Sequence, residues 1–343
     1  MKALIKSAPS KGLNLVELPI PTPGRDDVLI RVLRTGICET DIHLYQWDEW
    51  ASRTVRTPRV IGHEFVGEIV EIGPGVGGLS PGDIVSAEGN FACGGCTPCR
   101  SGRQHLCPKA ESLGIDRDGA FVEYMMLPSS SIWVHSDDTA LDVAAIFDAF
   151  GSAVHAVDTF PVKGRSVLVT GAGPLGIMAA AIAMHLGAEP VVITDISSYR
   201  LDLAREAGVK HALEAESPLM EEAGQLDLAG GFDVGLEMSG SRNALRGQIS
   251  GLARGGQLAV LGLPRYDIPT DWSRISLRML TIQGVSGRQV FDTWHRMRDL
   301  MAEGFDPSPV ITHHFPAEEY EKAFRTASEG KAGKVILTWG EKS

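Results

Sequence analysis

The sequence predicts an α/β protein in which a β-rich first half precedes a doubly wound parallel sheet. Three observations lead to this prediction. They are the length of the chain, a change near residue 150 from short β-rich runs to alternating strands and helices, and a glycine-rich turn between an apolar strand and an Ala-rich helix. At 343 residues the chain exceeds what one hydrophobic core usually organises, so we expect two domains. We place the boundaries at 1–148, 149–292 and 293–343, and we expect the last segment to return to the first domain.

Residues 1–145 alternate short β-rich runs with glycine and proline turns. The strand-like runs are VLIRVLRTGI, GEIVEIG and GDIVSAEG, and the turns around them are PTPGRDD, GPGVGGLSPGD and GNFACGG. Many short strands separated by such turns are typical of antiparallel sheets. The first half is therefore predicted to be an antiparallel, barrel-like domain.

The second half of the sequence alternates strand-like and helix-like segments. SVLVTGAGPLGIMAAAIAMHLGAEPVVITDIS has the order strand, glycine turn, helix and strand, and further strand-like runs are FDVGLEMSG, GGQLAVLGLP and LTIQGVSG. This alternation predicts a parallel sheet with helices on both faces. The tail adds two amphipathic helices, FDTWHRMRDLMAEG and AEEYEKAFRTASEG, and a closing strand, GKVILTW.

Composition and charge exclude several classes of protein. The net charge of -11 argues against a general nucleic-acid binder and against docking on anionic membranes. The sequence has no apolar run of about 18 residues that could span a bilayer. Its first residues, MKALIKSAPS, lack the apolar core of a secretory signal. We therefore expect a cytoplasmic enzyme.

The segment GAGPLG contains the clearest cofactor signal, formed by Gly171, Gly173 and Gly176. In a dinucleotide-binding turn the first glycine permits the bend, the second lets the backbone approach a pyrophosphate, and the third allows close packing of helix on strand. Asp195 ends the next strand at about the interval expected for a carboxylate that binds the adenosine ribose. This pattern predicts NAD rather than NADP; the alternative is a tight structural turn.

Four of the five cysteines, Cys93, Cys96, Cys99 and Cys107, lie within fifteen residues. In a reducing compartment such clustering indicates metal ligation rather than disulfides. Four thiolates complete a tetrahedral zinc site and leave no open coordination position, so we expect a structural zinc ion. An iron–sulfur cluster is the main alternative, and a chance group of free thiols is a second.

A third group of reactive side chains is dispersed. Residues 38–43, CETDIH, contain Cys38, Thr40, Asp41 and His43, and GHEFVGEI contains His63 and Glu64. Cysteine, histidine and carboxylate bind catalytic zinc when a coordination position remains open for substrate. Taken singly, each also fits an ordinary core or surface position.

In this order the three groups resemble those of the zinc-dependent medium-chain dehydrogenases, the family of alcohol and polyol dehydrogenases. The resemblance extends over essentially the whole chain and includes GHEFVGEIVEIGPGV, GDIV, the four-cysteine segment and GAGPLG. It implies a GroES-like catalytic domain holding two zinc ions, a Rossmann domain binding NAD, and a homotetramer. Within the family, TDIHLYQWDEW, IFDAFGSAVHAV and PSPVITHHF resemble members that act on L-threonine.

The resemblance also implies roles at matching positions. Cys38, His63 and Glu64 match ligands of the catalytic zinc, and Asp148 matches an acidic residue beside the metal. Thr40 and His43 match a proton relay. The positions that match cofactor contacts are Leu175, Asp195, Arg200, Leu261, Gly262, Leu263, Pro264, Ser286 and Gly287.

The activity implied by this resemblance is oxidation of L-threonine at its C3 hydroxyl to L-2-amino-3-oxobutanoate. Zinc polarises the hydroxyl, the proton leaves through Thr40, the cofactor ribose and His43, and the resulting alkoxide gives its hydride to the nicotinamide. Two alternatives remain open at this point. One is a dehydrogenase of polyols or other secondary alcohols, and the other is a noncatalytic, nucleotide-responsive binding protein.

The sequence departs from the family pattern in several places. Ser152 stands where asparagine is common, His314 stands where arginine is common, and VSGRQ replaces IYGRE. Glu39 occupies a position that is usually glycine in members acting on L-threonine and basic in some alcohol dehydrogenases. Because that basic residue lies near the cofactor pyrophosphate, the resemblance suggests that Glu39 weakens NAD binding; the alternative is a solvated loop carboxylate without that effect.

Overall fold

The computed structural model describes residues 1–215, 224, 226, 228, 230–264 and 267–340, and the chain divides into two compact units. Unit 1 consists of Met1–Ala149, Gln289–Phe291 and Ile311–Ser343, and unit 2 consists of Phe150–Arg288 and Asp292–Val310. The tail thus divides between Val310 and Ile311 rather than at the expected 292/293 boundary.

The reason for this difference lies in the first tail helix, Asp292–Ala302, whose side chains Trp294, Met297 and Leu300 are buried. Trp294 lies under the Arg288 guanidinium, and the sulfur of Met297 lies close to Gly151. Both partners belong to unit 2. The apolar face of the helix therefore assigns it to the second unit, and only the following strands and helix return to the first.

The strands are β1 (Lys2–Lys6), β2 (Asn14–Glu17), β3 (Asp27–Gly36), β4 (Arg59–Val60), β5 (Glu64–Ile72), β6 (Ile84–Ala87), β7 (Asn90–Phe91), β8 (Glu111–Ser112), β9 (Tyr124–Pro128), β10 (Ile132–Val134), β11 (Val167–Thr170), β12 (Val191–Asp195), β13 (His211–Glu214), β14 (Phe232–Glu237), β15 (Leu252–Val260), β16 (Thr281–Gly284), β17 (Ile311–Pro316) and β18 (Lys334–Thr338).

The α-helices of the described residues are α1 (Glu39–Gln46), α2 (Glu49–Thr54), α3 (Thr97–Arg100), α4 (Leu141–Ala145), α5 (Phe147–Asp158), α6 (Pro174–His185), α7 (Ser198–Glu206), α8 (Arg242–Gly251), α9 (Trp272–Arg278), α10 (Asp292–Ala302) and α11 (Tyr320–Ser328). Short 3-10 helices cover Gln104–Leu106, Ser129–Ser131, Ser308–Val310 and Ala317–Glu319. Among the described residues, no helix combines the length and apolar character that crossing a membrane requires.

Unit 1 is built on a seven-stranded sheet of order β10-β6-β5-β3-β18-β17, in which β9 also pairs with β3. A three-stranded sheet, β2-β1-β4, and the β7-β8 pair complete its described strands. The pairing is antiparallel, as predicted, except between β17 and β18, which are parallel. Phe65, Phe121 and Phe324 are among the buried side chains of its core, and burying each contributes about 1.5–3 kcal/mol.

Unit 2 contains a six-stranded sheet of order β13-β12-β11-β14-β15-β16 in which every neighbouring pair is parallel. In chain order within unit 2 the strands are arranged 3-2-1-4-5-6. This is the doubly wound arrangement, in which successive strands are added first on one side of β11 and then on the other. Parallel strands put their carboxyl ends at one edge of the sheet, so the loops after β11, β12, β14, β15 and β16 share that edge. The predicted α/β class is confirmed.

Candidate active site

The pairing of β3 with β5 brings the predicted ligands of the catalytic zinc together. Gly36 lies opposite Glu64 in that pair, so Cys38, two residues beyond β3, lies beside the start of β5. The donor atoms of Cys38, His63 and Glu64 lie within 4.8 Å of one another. Gly36 makes room for the group, because a Cβ atom there would lie 2.3 Å from Glu64 Oε2.

Asp41 is fully buried and lies next to two of these three residues, Cys38 and His63. Its Oδ2 accepts a hydrogen bond from the Cys38 backbone N–H at 2.9 Å, and its Oδ1 lies 3.8 Å from His63 Nδ1. Burial raises the pKa of Asp41 to about 6, although the charge of His63 opposes the rise. Burial lowers the pKa of His63, but the charges of Asp41 and Cys38 outweigh it and the net shift is upward. At 3.8 Å the contact with His63 is electrostatic, since Asp41 Oδ1 has no hydrogen-bond partner among the described residues.

Glu64 forms a buried ion pair with Lys334, the first residue of β18. Lys334 Nζ lies 2.5 Å from Glu64 Oε1 and 2.6 Å from Oε2, and both side chains are almost closed to solvent. Burial lowers the pKa of Lys334, but nearby negative charges, first that of Glu64, outweigh it and raise the pKa. The Glu64 carboxylate therefore has a permanent cation partner within the protein.

Asp148, in the first turn of α5, is half-buried and lies outside the group of three candidate ligands. Its negative charge nevertheless contributes to the raised pKa of both His63 and Lys334. Asp148 therefore belongs to the electrostatic environment of the candidate ligands.

Helix α1 carries the two residues of the expected proton relay. Cys38 is its N-cap, and Thr40 and His43 follow within the next five positions. Residues three apart on a helix lie on one face, so both side chains lie on the same side of α1. His43 Nδ1 lies 2.5 Å from Asp48 Oδ2, and its Nε2 lies 3.9 Å from Glu39 Oε1.

The sulfur atoms of Cys93, Cys96, Cys99 and Cys107 all lie within 4.8 Å of one another. Cys96 Sγ is 3.3 Å from Cys99 Sγ and 3.8 Å from Cys107 Sγ. Four sulfurs about 2.3 Å from one zinc ion would lie about 3.8 Å apart, so the spacing fits a single tetrahedral metal. Several iron atoms would hold the sulfurs farther apart. A hydrogen bond from the Gly95 N–H helps lower the pKa of Cys93 to about 6, whereas burial is the main cause that raises the pKa of Cys99 to about 12.

In unit 2 the three glycines of GAGPLG differ in what surrounds them. Gly171 has a φ of +95°, and a Cβ atom there would lie 2.9 Å from the Cβ of Ser239. A Cβ atom on Gly176 would lie 1.8 Å from the carbonyl oxygen of Gly171. A Cβ atom on Gly173 would meet no protein atom within 4 Å. The protein's own packing therefore requires Gly171 and Gly176, whereas Gly173 leaves space that a pyrophosphate could approach.

Asp195 ends β12 and is nearly buried. Its Oδ2 accepts a hydrogen bond from the Ala172 N–H at 2.6 Å, and its Oδ1 accepts one from the Ser197 N–H at 2.8 Å. The side chain thus ties the glycine turn to the start of α7, which also carries Arg200. A carboxylate oxygen can accept two hydrogen bonds, and each oxygen of Asp195 accepts one from these two N–H groups. Asp195 therefore keeps acceptor capacity for ribose hydroxyls.

The other predicted cofactor contacts follow β15 and β16 at the same edge of the sheet. A Cβ atom on Gly240, after β14, would lie 2.4 Å from the Leu263 carbonyl, so the loops after β14 and β15 touch. After β16, the Gly287 carbonyl accepts a hydrogen bond from His155 Nδ1 at 2.9 Å. The remaining predicted positions in these loops and in the first turn of α6 are Leu175, Leu261, Gly262, Pro264 and Ser286.

Sequence reasoning did not predict the partners that position these residues. Glu237 is buried and accepts backbone hydrogen bonds from Ser239 at 2.9 Å and Gly240 at 3.2 Å, which shapes the loop beside Gly171. Nor did the sequence predict that His155 binds the Gly287 carbonyl or that Lys334 pairs with Glu64. A signal existed for Lys334, because a lysine opens the strand KVILT, whose next three residues are apolar and buried.

Comparison with known proteins decides the family. Residues 24–137 match the model of the alcohol dehydrogenase GroES-like domain, and residues 174–303 match that of the zinc-binding dehydrogenases. An L-threonine 3-dehydrogenase from Saccharopolyspora erythraea is 52% identical over 340 residues, which cover 99% of each chain. The chain belongs to the zinc-dependent medium-chain dehydrogenases.

Other members of this family give the same result. L-threonine 3-dehydrogenases from Streptomyces avermitilis and Cutibacterium acnes are 52% and 48% identical, each over 99% of both chains. An alcohol dehydrogenase from Escherichia coli CFT073, solved with NADH, has a TM-score of 0.91 at 26% identity and covers 99% of both chains. An alcohol dehydrogenase from Thermus sp. ATN1 has a TM-score of 0.89 at 26% identity, covering 99% of this chain and 100% of its own. The predicted family, fold class and enzyme class of this medium-chain dehydrogenase are confirmed.

Proposed function

We propose that this dehydrogenase oxidises L-threonine at its C3 hydroxyl to L-2-amino-3-oxobutanoate with NAD as hydride acceptor, a step in amino-acid degradation. The proposal is carried by the relatives named L-threonine 3-dehydrogenase, which are 46–52% identical to this chain over 99% of its length. Alcohol dehydrogenases of the same fold are only 26% identical. The amino-acid substrate is therefore favoured over a simple alcohol or a polyol.

In this proposal Cys38, His63 and Glu64 hold the catalytic zinc. A thiolate, an imidazole and a carboxylate are zinc donors, and three of them leave a position for the substrate. Zinc held there would polarise the substrate hydroxyl and lower its pKa. Asp41 places a buried carboxylate beside His63, Lys334 balances the charge of Glu64, and Asp148 adds negative charge nearby.

The proton of the substrate hydroxyl is proposed to pass to the Thr40 hydroxyl and on to His43. His43 suits this role because an imidazole can accept a proton at one ring nitrogen and act as a general base. Its side chain is 20% exposed, which permits exchange with water. The hydrogen on C3 leaves as a hydride, and NAD supplies this redox step.

NAD is proposed to bind at the carboxyl edge of the parallel sheet. The space at Gly173 and the N-terminus of α6 suit the pyrophosphate, and Asp195 suits the adenosine ribose. A carboxylate at that position repels the 2′-phosphate of NADP. Leu175, Arg200, residues 261–264, Ser286 and Gly287 are proposed to complete the contacts.

The four cysteines 93, 96, 99 and 107 are proposed to hold a second, structural zinc ion. Their sulfur spacing fits one tetrahedral metal and their number leaves no position for substrate. No disulfide joins any of the five cysteines, all of which are among the described residues, and this supports the proposed cytoplasmic location.

A homotetramer is also proposed, and exposed apolar residues in unit 2 support self-association. Strand β16 ends the six-stranded sheet, so one of its edges has no partner within that sheet. Nearby, Trp272, Leu277 and Met279 are 70–77% exposed. Unpaired edges and contiguous apolar surface are features that a second copy of a chain can cover. Light scattering coupled to gel filtration measures the number of subunits.

The test of the proposed function is NADH formation by purified enzyme with L-threonine, with and without a chelator. NADH formed on L-threonine and lost on chelation supports the proposal. Turnover of sorbitol or 2,3-butanediol without turnover of L-threonine would identify a polyol or secondary-alcohol dehydrogenase instead. No turnover, with zinc only at the four-cysteine site, would identify a noncatalytic binding protein. Metal analysis supports the enzyme if each subunit holds zinc in both groups.

A further inference from the structure

Asp48 lies directly against His43 although it belongs to the next helix. Helix α1 ends at Gln46, and Trp47 adopts the left-handed conformation with φ 55° and ψ 51°. This turn brings the Asp48 backbone N–H to 3.4 Å from the His43 carbonyl oxygen. It also brings Asp48 Oδ2 to 2.5 Å from His43 Nδ1. The segment YQWDEW, residues 45–50, therefore folds back onto His43, two positions before it.

The second oxygen of Asp48 fixes the position of its side chain. Asp48 is the N-cap of α2, and its Oδ1 accepts a hydrogen bond from the Ala51 N–H at 3.0 Å. One carboxylate oxygen is thus bound to backbone and the other to the imidazole. An N-cap held in this way offers His43 an acceptor in a defined place.

The tautomer of His43 follows from this contact. An ionised carboxylate only accepts hydrogen bonds, so the Nδ1 atom that faces Asp48 must carry the hydrogen. In neutral imidazole the other nitrogen, Nε2, then has the free lone pair. A proton arriving at His43 can add only at Nε2.

We propose that Asp48 is a positioning residue that holds His43 in the Nδ1–H tautomer, so that Nε2 accepts the proton released by the reaction. The inference rests on the proposed relay role of His43. A carboxylate that fixes the tautomer of a general base is a known device in unrelated enzymes, where replacing it by an amide leaves the geometry intact but lowers turnover strongly.

The remaining neighbours of the His43 ring agree with this direction of transfer. Glu39, on the same helix, has Oε1 at 3.9 Å from His43 Nε2 and a side chain that is 64% exposed. The ring of Trp50, on α2, lies 5.8 Å away. Among the described residues, Asp48 and Glu39 are the carboxylates within 4.0 Å of the imidazole. The two carboxylates therefore lie at different ring nitrogens, Asp48 at Nδ1 and the largely exposed Glu39 on the side of Nε2.

Two substitutions separate the cap from the contact with His43. Asp48→Ser keeps a good N-cap but removes the carboxylate. Asp48→Asn keeps the shape but offers one acceptor oxygen to two donors. Glu49→Gln is the matched control, because it removes one negative charge at the adjacent position, where Glu49 pairs with Arg53 and both side chains are largely exposed.

The first readout is the nitrogen spectrum of labelled histidine in zinc-loaded enzyme without substrate, with His43 assigned from a His43→Asn sample. We expect the Nδ1–H tautomer in the parent and in Glu49→Gln. In Asp48→Ser we expect a mixture of tautomers, because no carboxylate then holds the hydrogen on Nδ1. An unchanged tautomer in Asp48→Ser would overturn the proposal.

The second readout is the pH profile of kcat with L-threonine and NAD. We expect kcat to fall about 10- to 100-fold in both Asp48 variants, with KM unchanged, because a general base contributes about 100-fold or more. A changed tautomer ratio in Asp48→Ser with parent-like kcat across the whole pH profile would also overturn the inference. Failure of the proposed function is seen separately, as absence of NADH formation by the parent enzyme.

Discussion

Lys334 Nζ lies 2.5 Å and 2.6 Å from the two carboxylate oxygens of Glu64, and the two residues are 270 positions apart in the sequence. Both side chains are almost closed to solvent. A buried charge that loses its partner is costly, whereas replacing both partners by neutral groups costs much less. The last strand of the chain therefore determines the state of a candidate zinc ligand near its beginning.

Lys334→Met should destabilise the metal-free protein by about 3–5 kcal/mol, because it leaves the Glu64 carboxylate buried and unpaired. Urea unfolding of chelator-treated protein measures this difference. Adding Glu64→Gln should restore much of the lost stability, since the uncompensated charge is then removed. If the double variant is as unstable as the sum of the two single variants, the ion pair has no energetic coupling.

Substitutions of two cysteines should separate the two proposed zinc sites. Cys38→Ser should abolish turnover and leave the unfolding free energy near that of the parent. Cys99→Ser should lower the unfolding free energy by about 4 kcal/mol or more, as expected for loss of a structural metal. Metal analysis should find half the parent's zinc in each variant. Unfolding of Cys38→Ser with a stable Cys99→Ser would reverse the two assignments.

Two of the glycines in GAGPLG should respond differently to alanine. Gly176→Ala places a Cβ atom 1.8 Å from the Gly171 carbonyl oxygen, so it should destabilise the protein by about 1–3 kcal/mol. Gly173→Ala meets no protein atom within 4 Å and should leave stability unchanged. It should weaken NAD binding about tenfold, equivalent to about 1.4 kcal/mol. Calorimetry with NAD and urea unfolding measure the two effects, and parent-like NAD affinity in Gly173→Ala would contradict the proposed pyrophosphate position.

The features that could be predicted from sequence are those encoded by short spacing. The three glycines, Asp195 and the four clustered cysteines are recognisable because turn geometry and metal coordination restrict residues that lie close together in the chain. The alternation of strands and helices predicted the parallel sheet for the same reason. The contact of His43 with Asp48 is also local, but it depends on the left-handed turn at Trp47, which no pattern in YQWDEW indicates.

Long-range partners could not be predicted because strand register is not local. Glu64 meets Lys334 only because β3 pairs with both β5 and β18. The place where the tail divides was missed for a similar reason. The helical pattern of residues 292–302 shows an apolar face but not which core covers it. Likewise, no nearby residue indicates that His155 binds the carbonyl oxygen of Gly287, 132 positions away.

His135 should make the protein less stable as the pH falls below 6.5. The side chain is buried, with Nε2 2.8 Å from Ser86 Oγ, which itself donates to the Phe65 carbonyl at 2.6 Å. Burial lowers the pKa of His135 to about 4. Above pH 6.5 the ring is neutral in both the folded and the unfolded chain, so it contributes no pH dependence. Between pH 6.5 and 4 only the unfolded chain takes up the proton, which should cost about 1.4 kcal/mol of unfolding free energy per pH unit.

The total loss attributable to His135 at pH 4 is about 3 kcal/mol. His135→Gln keeps an N–H donor for Ser86 but cannot titrate, so its unfolding free energy should decline less steeply over the same interval. Urea unfolding of parent and variant at matched pH values gives the difference in slope directly, because the other titrating groups are common to both proteins. Parallel stability curves between pH 6.5 and 4 would show that His135 is protonated in the folded state and is not kept neutral by burial.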